Sequence, residues 1–409
     1  MFAKILNYVV RSGSLRLIDG AGRIHAIGDD SPPRVTVRLR SRRLDITLAL
    51  NPSLSIGEAY MDGMFVIEQG TLYDFLDVIG RNADRIGTHP WLGLLARLGT
   101  HIQQRNPIGR ARRNVAHHYD LSDKLYDIFL DRDRQYSCAY FTSETDSLET
   151  AQQNKKRHIA SKLMLDQPGL RILDIGSGWG GLGLYLAQTA GADVTGVTLS
   201  TEQHKMSTAR VAEAGLTDQV RFALRDYREQ EGTFDRIVSV GMFEHVGKKN
   251  YAEFFARLRD LLVDDGVALL HAIGDNGVPG PINPFIRKYI FPGADTPSLS
   301  EVFSAVERSG LIVTDLEILR LHYARTLRLW RERFMARRDE VAALYDERFC
   351  RMWEFYLALC EVGFRHRSNI VFQMQLAKRR DVVPITRDTM GIWERAHAER
   401  PAQWPSAVQ

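Results

Sequence analysis

The chain has 409 residues, 44% hydrophobic and 25% charged, with a net charge of +4, an ordinary globular composition with length for roughly two to three domains. Its three cysteines, Cys138, Cys350 and Cys360, fit neither a disulfide framework nor a zinc ribbon and point to a reducing, cytoplasmic compartment. No apolar run approaches the roughly 18 residues of a spanning helix, and the opening MFAKILNYVVRSGS lacks the cleavage site of a signal peptide, so membrane contact is expected only at the periphery.

Residues 14–50 alternate apolar and polar positions between turn signals, in SLRLIDGAGRIHAIGDD and then PRVTVRLRSRRLDITLAL, the period-2 pattern of a half-buried antiparallel sheet. GEAYMDGMFVIEQGTLYDFLDVIG follows, turn-rich at first and then helical. Between Thr100 and Asn114, Pro, Gly and Arg occur without apolar periodicity, which predicts a domain boundary; the divisions expected are a domain over 1–105, a linker over 106–117, a second domain over 118–385 and a tail over 386–409. From Leu170 the rhythm changes to strand RILDIG, helix GLYLAQTA, strand ADVTGVTL, helix TEQHKMSTARVAEAG, strand VRFALRD and strand FDRIVSVG. Helix AEFFARLRDLL, strand GVALLHAI, a Pro- and Gly-rich insertion at 275–298, helix LSEVFSAVERSG and strand LIVTDLEIL come next, and SNIVFQMQLAK follows a helical region at 325–363. This alternation predicts an α/β fold with a Rossmann-like, seven-stranded doubly wound sheet.

Arginines cluster at Arg34–Arg43, Arg105–Arg113 and Arg320–Arg338. They read either as solvated faces or as contacts to an anionic lipid surface, where each basic residue contributes about 1 kcal/mol. Nucleic acid is not an expected partner, because no recognition helix, zinc finger or RNA-stacking motif accompanies them.

Asp174, Ile175, Gly176, Ser177, Gly178, Trp179, Gly180 and Gly181 sit where a buried strand turns into a helix. Glycines let the backbone approach a ligand, and the helix start offers free N–H groups. Dinucleotide enzymes use a similar loop but place an acid about twenty residues on, at the end of the second strand. Here that position reads Thr198, Leu199, Ser200.

At GMFEHVGKKNYAEFF, residues 241–255, the chain resembles the cyclopropane fatty acid synthases. HYDLSDKLYDIFLDRDRQYSCAYF at 118–141, LDIGSGWGGLGLYLA at 173–187, LLHAIG at 269–274, HYARTLRLW at 322–330 and GEAYMDG at 57–63 agree with it. The resemblance implies a class I methyltransferase fold with a smaller N-terminal α+β lipid-recognition domain. It implies S-adenosylmethionine as cofactor, contacted by Tyr136, Ser137, the loop of Asp174, Gly176, Gly178 and Gly180, then Thr198, Ser200, Gln203, Asp226 and Tyr227, with Val240 on the adenine side. Ser177 departs from the pattern, since many relatives carry Cys there. The implied substrate is a membrane phospholipid with unsaturated acyl chains, met at the inner face of the membrane, and a homodimer is compatible with the resemblance.

An isolated alkene is a poor nucleophile, so the sulfonium has to be held against it in near-attack geometry with water excluded. Methyl transfer leaves a carbocation, and ring closure needs a base for a proton of the new methyl group. Cys138, Glu244, His271 and Tyr323, with the backbone of Ile273, match the positions at which relatives hold bicarbonate as that base. Each residue also has a plainer reading: a small buried Cys, a helix-capping Glu, a satisfied core His, a core Tyr. Cys360 matches a family position too, although the chemistry needs no thiolate. Trp330, Phe349, Trp353, Phe355, Tyr356 and Phe364 either wall an acyl tunnel or form core. The rival activities are methylation without ring closure, N-methylation of small amines, and lipid binding without catalysis.

Overall fold

The computed structural model describes residues 1–85 and 122–398. The expected linker and the arginines at 105–113 lie outside the described residues. The chain forms two compact units, one from residues 1–85, Gly280–Pro292 and Tyr323–Asn369, the other from residues 122–279, Gly293–His322 and 370–398.

The second unit is built on a seven-stranded sheet in the order β10-β11-β9-β8-β5-β6-β7. Its strands are β5 (Arg171–Ile175), β6 (Asp193–Thr198), β7 (Val220–Leu224), β8 (Phe234–Val240), β9 (Leu262–Asp275), β10 (Ile312–Ile318) and β11 (Asn369–Ala377). The pairs β5–β6, β5–β8, β6–β7 and β8–β9 are parallel, and β10–β11 is antiparallel. Successive side chains of a strand point to opposite faces, and both faces here are apolar. Leu173, Ile237, Ala268 and Leu270 enter one core with the helices Tyr251–Leu261 and Leu299–Ser309, while Ile172, Val238 and Leu269 enter another with the helices Leu148–Lys162 and Gly181–Ala190. The chain leaves β5 for β6 and β7 on one side, with β8 and β9 on the other. Such a switch point opens a ligand crevice beyond the carboxyl ends of the strands. The doubly wound α/β expectation holds.

The first unit carries a four-stranded sheet in the order β2-β1-β3-β4, from β1 (Ser14–Ile18), β2 (Ile24–Gly28), β3 (Arg34–Leu39) and β4 (Phe65–Gln69). Two expectations are corrected. β1 and β3 pair in parallel, so the sheet is mixed. RRLDITLAL is the helix Arg42–Leu50, started by Ser41, whose extended backbone lets its hydroxyl accept from the Arg43 N–H, with Asp45 in the first turn. Capping and a first-turn acid override the apparent alternation there. GEAYMDG ends the helix Pro52–Met61, and a Cβ on Gly57 would fall 2.3 Å from Phe285 Cδ2, so only glycine fits.

Candidate functional site

The loop after β5 turns through Gly176, Gly178 and Gly180 at φ of 83°, 54° and 83°, backbone that favours glycine. The Gly176 and Ser177 N–H groups donate to Val197 O at 2.9 and 3.0 Å, tying the loop to β6. A Cβ on Gly178 would point into open space, so bare backbone faces a cavity of about 160 Å³. Tyr136, Ser137, Asp174, Gly176, Gly178, Thr198, Gln203, Asp226, Tyr227 and Val240 line that cavity together. Gly180 and Ser200 stand behind it. A Cβ on Gly180 would meet Phe222 at 2.8 Å, and Ser200 caps the helix Thr201–Glu213 by accepting from Gln203 N.

At one end of the cavity Asp174 is buried, its Oδ2 has no partner, and burial pushes its carboxyl up to about 7. Ser177 Oγ is likewise buried without a partner. Orphaned polar atoms cost free energy in a folded protein, and a ligand carrying an ammonium and hydroxyl groups would satisfy them. Asp226 is engaged by Arg228, which donates to both carboxylate oxygens at 2.9 and 2.7 Å. These donors and acceptors fit S-adenosylmethionine.

Sequence reasoning missed the helix that braces this wall. In Leu148–Lys162, Gln152 donates to the carbonyls of Gln135 and Ser137 at 3.1 and 3.0 Å, and Lys155 donates to Gln135 Oε1 and Ser137 Oγ at 2.6 and 2.7 Å. Asp131 accepts from the N–H groups of Asp133 and Gln135, and Asp133 meets Lys156 at 2.6 Å and Arg210 at 2.5 Å. Thus Tyr136, Ser137 and Cys138 lie on a segment pinned from below. Lys155, Gln135, Trp179, Arg228 and His245 also line the cavity. The one sequence signal was AQQNKK after a capping Ser147.

Glu244 is bonded to the backbone of β9 near its end, two residues along the strand from His271. Glu244 Oε1 accepts from Ile273 N at 2.6 Å, so that N–H is already in use, while Oε2 is buried without a partner and burial pushes the carboxyl up to about 7. His271 shares a face of β9 with Ile273, and its Nδ1 meets the Gln373 amide at 3.1 Å. Burial holds its pKa well below the usual histidine range, so it is neutral. With Nδ1 accepting, Nε2 carries the proton and is a donor. Cys138 is buried, its Sγ donating to Ala139 O at 3.3 Å. Tyr323 belongs to the first unit, packed against Trp330 and Phe364 with ring centroids 5.8 and 4.7 Å away. Cys360 lies in that unit too, partly buried on the helix Glu347–His366, where burial pushes its thiol up to about 12 and disfavours the thiolate at neutral pH. Trp330, Trp353, Phe355, Tyr356 and Phe364 are buried there and Phe349 is partly buried.

Comparison with known proteins agrees with this geometry. The family described as mycolic acid cyclopropane synthetase matches residues 107–374. The cyclopropane-fatty-acyl-phospholipid synthase of Escherichia coli strain K12 is 40% identical over 326 residues, 80% of this chain and 83% of the relative. The tuberculostearic acid methyltransferase of Mycobacterium tuberculosis is 36% identical over 379 residues, 89% of this chain and 88% of the relative. A solved mycolic acid cyclopropane synthase, complexed with SAH and CTAB, superposes with a TM-score of 0.62 at 34% identity, covering 66% of this chain and 99% of its own. With the glycine loop, the orphaned Asp174 and the switch-point crevice, these matches place the chain in the mycolic acid cyclopropane synthetase family of S-adenosylmethionine-dependent methyltransferases.

Proposed function

We propose that the chain transfers a methylene group from S-adenosylmethionine to the cis double bond of an unsaturated phospholipid acyl chain, forming a cyclopropane fatty acid, as a peripheral protein at the cytoplasmic face of the membrane. The substrate class follows the Escherichia coli relative, named for fatty-acyl phospholipids. The observation that carries the chemistry is Glu244, a buried carboxyl near neutrality with one oxygen unpartnered and the other bonded to Ile273 N, two residues along β9 from the neutral His271. S-adenosylmethionine, when bound, supplies an electrophilic methyl group. The bare backbone at Gly178 admits it closely, and burial of Asp174 and Ser177 keeps water from the same wall.

Charge left on the acyl chain has to be discharged by loss of a proton from the new methyl group. Cys138, Glu244 and His271 would hold bicarbonate, which supplies the base; the part of Tyr323 rests on the family resemblance. His271 donates through Nε2–H, and Glu244, at about 7, exchanges a proton near neutral pH. Ile273 fixes the Glu244 carboxyl through its N–H. Cys360, a thiol at neutral pH, is given no step.

Glu244→Gln keeps size and most hydrogen bonding. We expect turnover on vesicles of unsaturated phospholipid to fall about a hundred- to ten-thousandfold, with S-adenosylhomocysteine affinity unchanged. Carbonate-depleted buffer should slow the wild type reversibly and the variant much less. Wild-type turnover in the variant, or indifference of the wild type to bicarbonate, would overturn the assignment of the base. A second reading is methylation without ring closure, favoured by the tuberculostearic acid methyltransferase, which matches 89% of this chain. Mass spectrometry of the lipids separates the two products.

A further inference from the structure

The helix Leu148–Lys162 carries one lysine that the chemistry above leaves without a task. Lys155 is 1% exposed. Two of its three N–H bonds go to Gln135 Oε1 and Ser137 Oγ at 2.6 and 2.7 Å, and both acceptors are neutral. Its neighbours on the helix are ion-paired, Lys156 with Asp133 at 2.6 Å and Lys162 with Glu317, whereas Lys155 makes no ion pair of its own among the described residues. The buried carboxylates Asp131 and Asp133 favour its charge from a distance but form no ion pair with it, and taking an ammonium out of water without a bonded carboxylate is expensive, so its remaining hydrogen suits an anion.

The place to which it is exposed is the cofactor cavity. Lys155 lines it together with Asp174, whose Oδ2 is buried and unpartnered. The two groups sense each other, since the ammonium is the main influence opposing the rise of the Asp174 carboxyl. Burial pulls Lys155 down to about 8, which leaves it mostly charged at neutral pH. One wall therefore offers a carboxylate oxygen in need of a cation and an ammonium with a hydrogen to spare. The chemistry that satisfies both at once is a free α-amino acid, with its ammonium and carboxylate on one carbon. An adenosine or sulfonium group supplies no carboxylate.

We propose that Lys155 binds the α-carboxylate of the cofactor's methionyl group while Asp174 takes its α-ammonium, with Gln135 and Ser137 aiming the lysine. This rests on the reading of the cavity as the S-adenosylmethionine site and is independent of the bicarbonate and phospholipid assignments. It makes Lys155 a binding residue that discriminates the intact amino acid end of the cofactor from analogues that lack it.

Calorimetric titration of the full-length protein tests it with two ligands, S-adenosylhomocysteine and its decarboxylated counterpart, which keeps the amine and loses only the carboxylate. The wild type should bind the first about ten- to a hundredfold more tightly, the range for a hydrogen bond to a charged group. Lys155→Met should lose about that factor for S-adenosylhomocysteine and less than about threefold for the decarboxylated ligand, and Lys155→Arg should recover part of the loss. Equal losses for both ligands would make Lys155 a brace for Ser137 and Gln135 only, overturning the proposal. Because the methionine variant removes two buried hydrogen bonds and its folding is at stake, the wild type alone also decides: equal affinity for the two ligands overturns the assignment. If the wild type binds neither, the cofactor reading falls and this one with it.

Discussion

Asp174 and Glu244 are carboxyl groups kept in a poor solvent for their charge. Burial pushes both up to about 7, and each has an oxygen that meets no donor. In the unfolded chain both titrate near 4, so folding favours their protonated forms. Their contribution to stability is whole below about pH 4 and is lost as pH rises through about 7, the reverse of an ion-paired carboxylate. A shift of about three units sets an upper value near 4 kcal/mol for each group. Asn at position 174 removes the ionisation while keeping the shape. We expect Asp174→Asn to raise the unfolding free energy of the ligand-free protein by about 1–3 kcal/mol at pH 8 and by about a third as much at pH 5, measured by urea denaturation, while S-adenosylhomocysteine binding weakens. A gain of equal size at both pH values would assign the effect to packing. Groups that cost stability and remain are maintained by function. At this scale the sequence was half legible: Asp174, Glu244 and His271 stand in motifs, whereas Lys155 looks like any helical lysine until its burial is seen.

The legibility of elements depended on what they bury. The strands of the large sheet were found because both faces are apolar, as in Ile172 and Leu173 or Val238 and Ile237, which leaves short runs bounded by turns. The helix Leu148–Lys162 was invisible because its buried side carries Gln152, Lys155, Lys156, His158 and Lys162 in place of an apolar stripe. Its cohesion is therefore electrostatic and can be tested as such. His158 meets Glu317 at 2.7 Å and Glu394 of the helix Asp388–Ala396 at 2.5 Å, and the fully buried Lys162 also bonds Glu317. These partners hold the Glu317 carboxyl well below the usual range. Breaking a buried pair from one side costs about 3–5 kcal/mol. Glu317 is 23% exposed and Asp315 lies 3.9 Å from Lys162, so Glu317→Gln is expected to cost about 1–3 kcal/mol at pH 7. Glu317 stabilises the fold above its unfolded pKa of roughly 4, and this is lost as pH falls further, so the gap from wild type should narrow in acid. A gap that stays constant down to pH 3 would mean that the charge is not what matters.

At the scale of the whole molecule, the test of membrane binding has to respect how the first unit is built. Its N-terminal segment is not a detachable module: Tyr60 donates to Glu354 at 2.8 Å, His366 meets Asp77 at 2.7 Å, and Gly57 packs against Phe285 and Phe355. Deleting it would expose those partners and confuse loss of fold with loss of lipid binding. Surface charge offers a cleaner route. Arginines at 320–338 are largely spent on carboxylates, Arg328 on Glu332, Arg331 on Glu361, Arg337 on Glu340 and Arg338 on Glu347, which supports the solvated-face reading there. Arg40, Arg42 and Arg43 are exposed and make no ion pair among the described residues, and Ile46 and Leu50, 55% and 57% exposed, continue the same helix. Basic residues with exposed aliphatic side chains suit an anionic bilayer surface. At about 1 kcal/mol for each basic residue near the surface, losing three weakens binding by about a hundredfold. We expect the triple variant Arg40→Glu, Arg42→Glu and Arg43→Glu to bind vesicles containing phosphatidylglycerol at least that much more weakly in sedimentation, with S-adenosylhomocysteine affinity and melting temperature unchanged. Wild-type binding should itself decline as salt rises, since screening shortens the reach of surface charge to about 10 Å at 0.1 M. Ile46→Ser with Leu50→Ser should weaken binding to the same degree at every salt concentration, because apolar insertion is not screened. A triple variant that sediments with anionic vesicles as the wild type does would move the membrane-binding surface away from this helix.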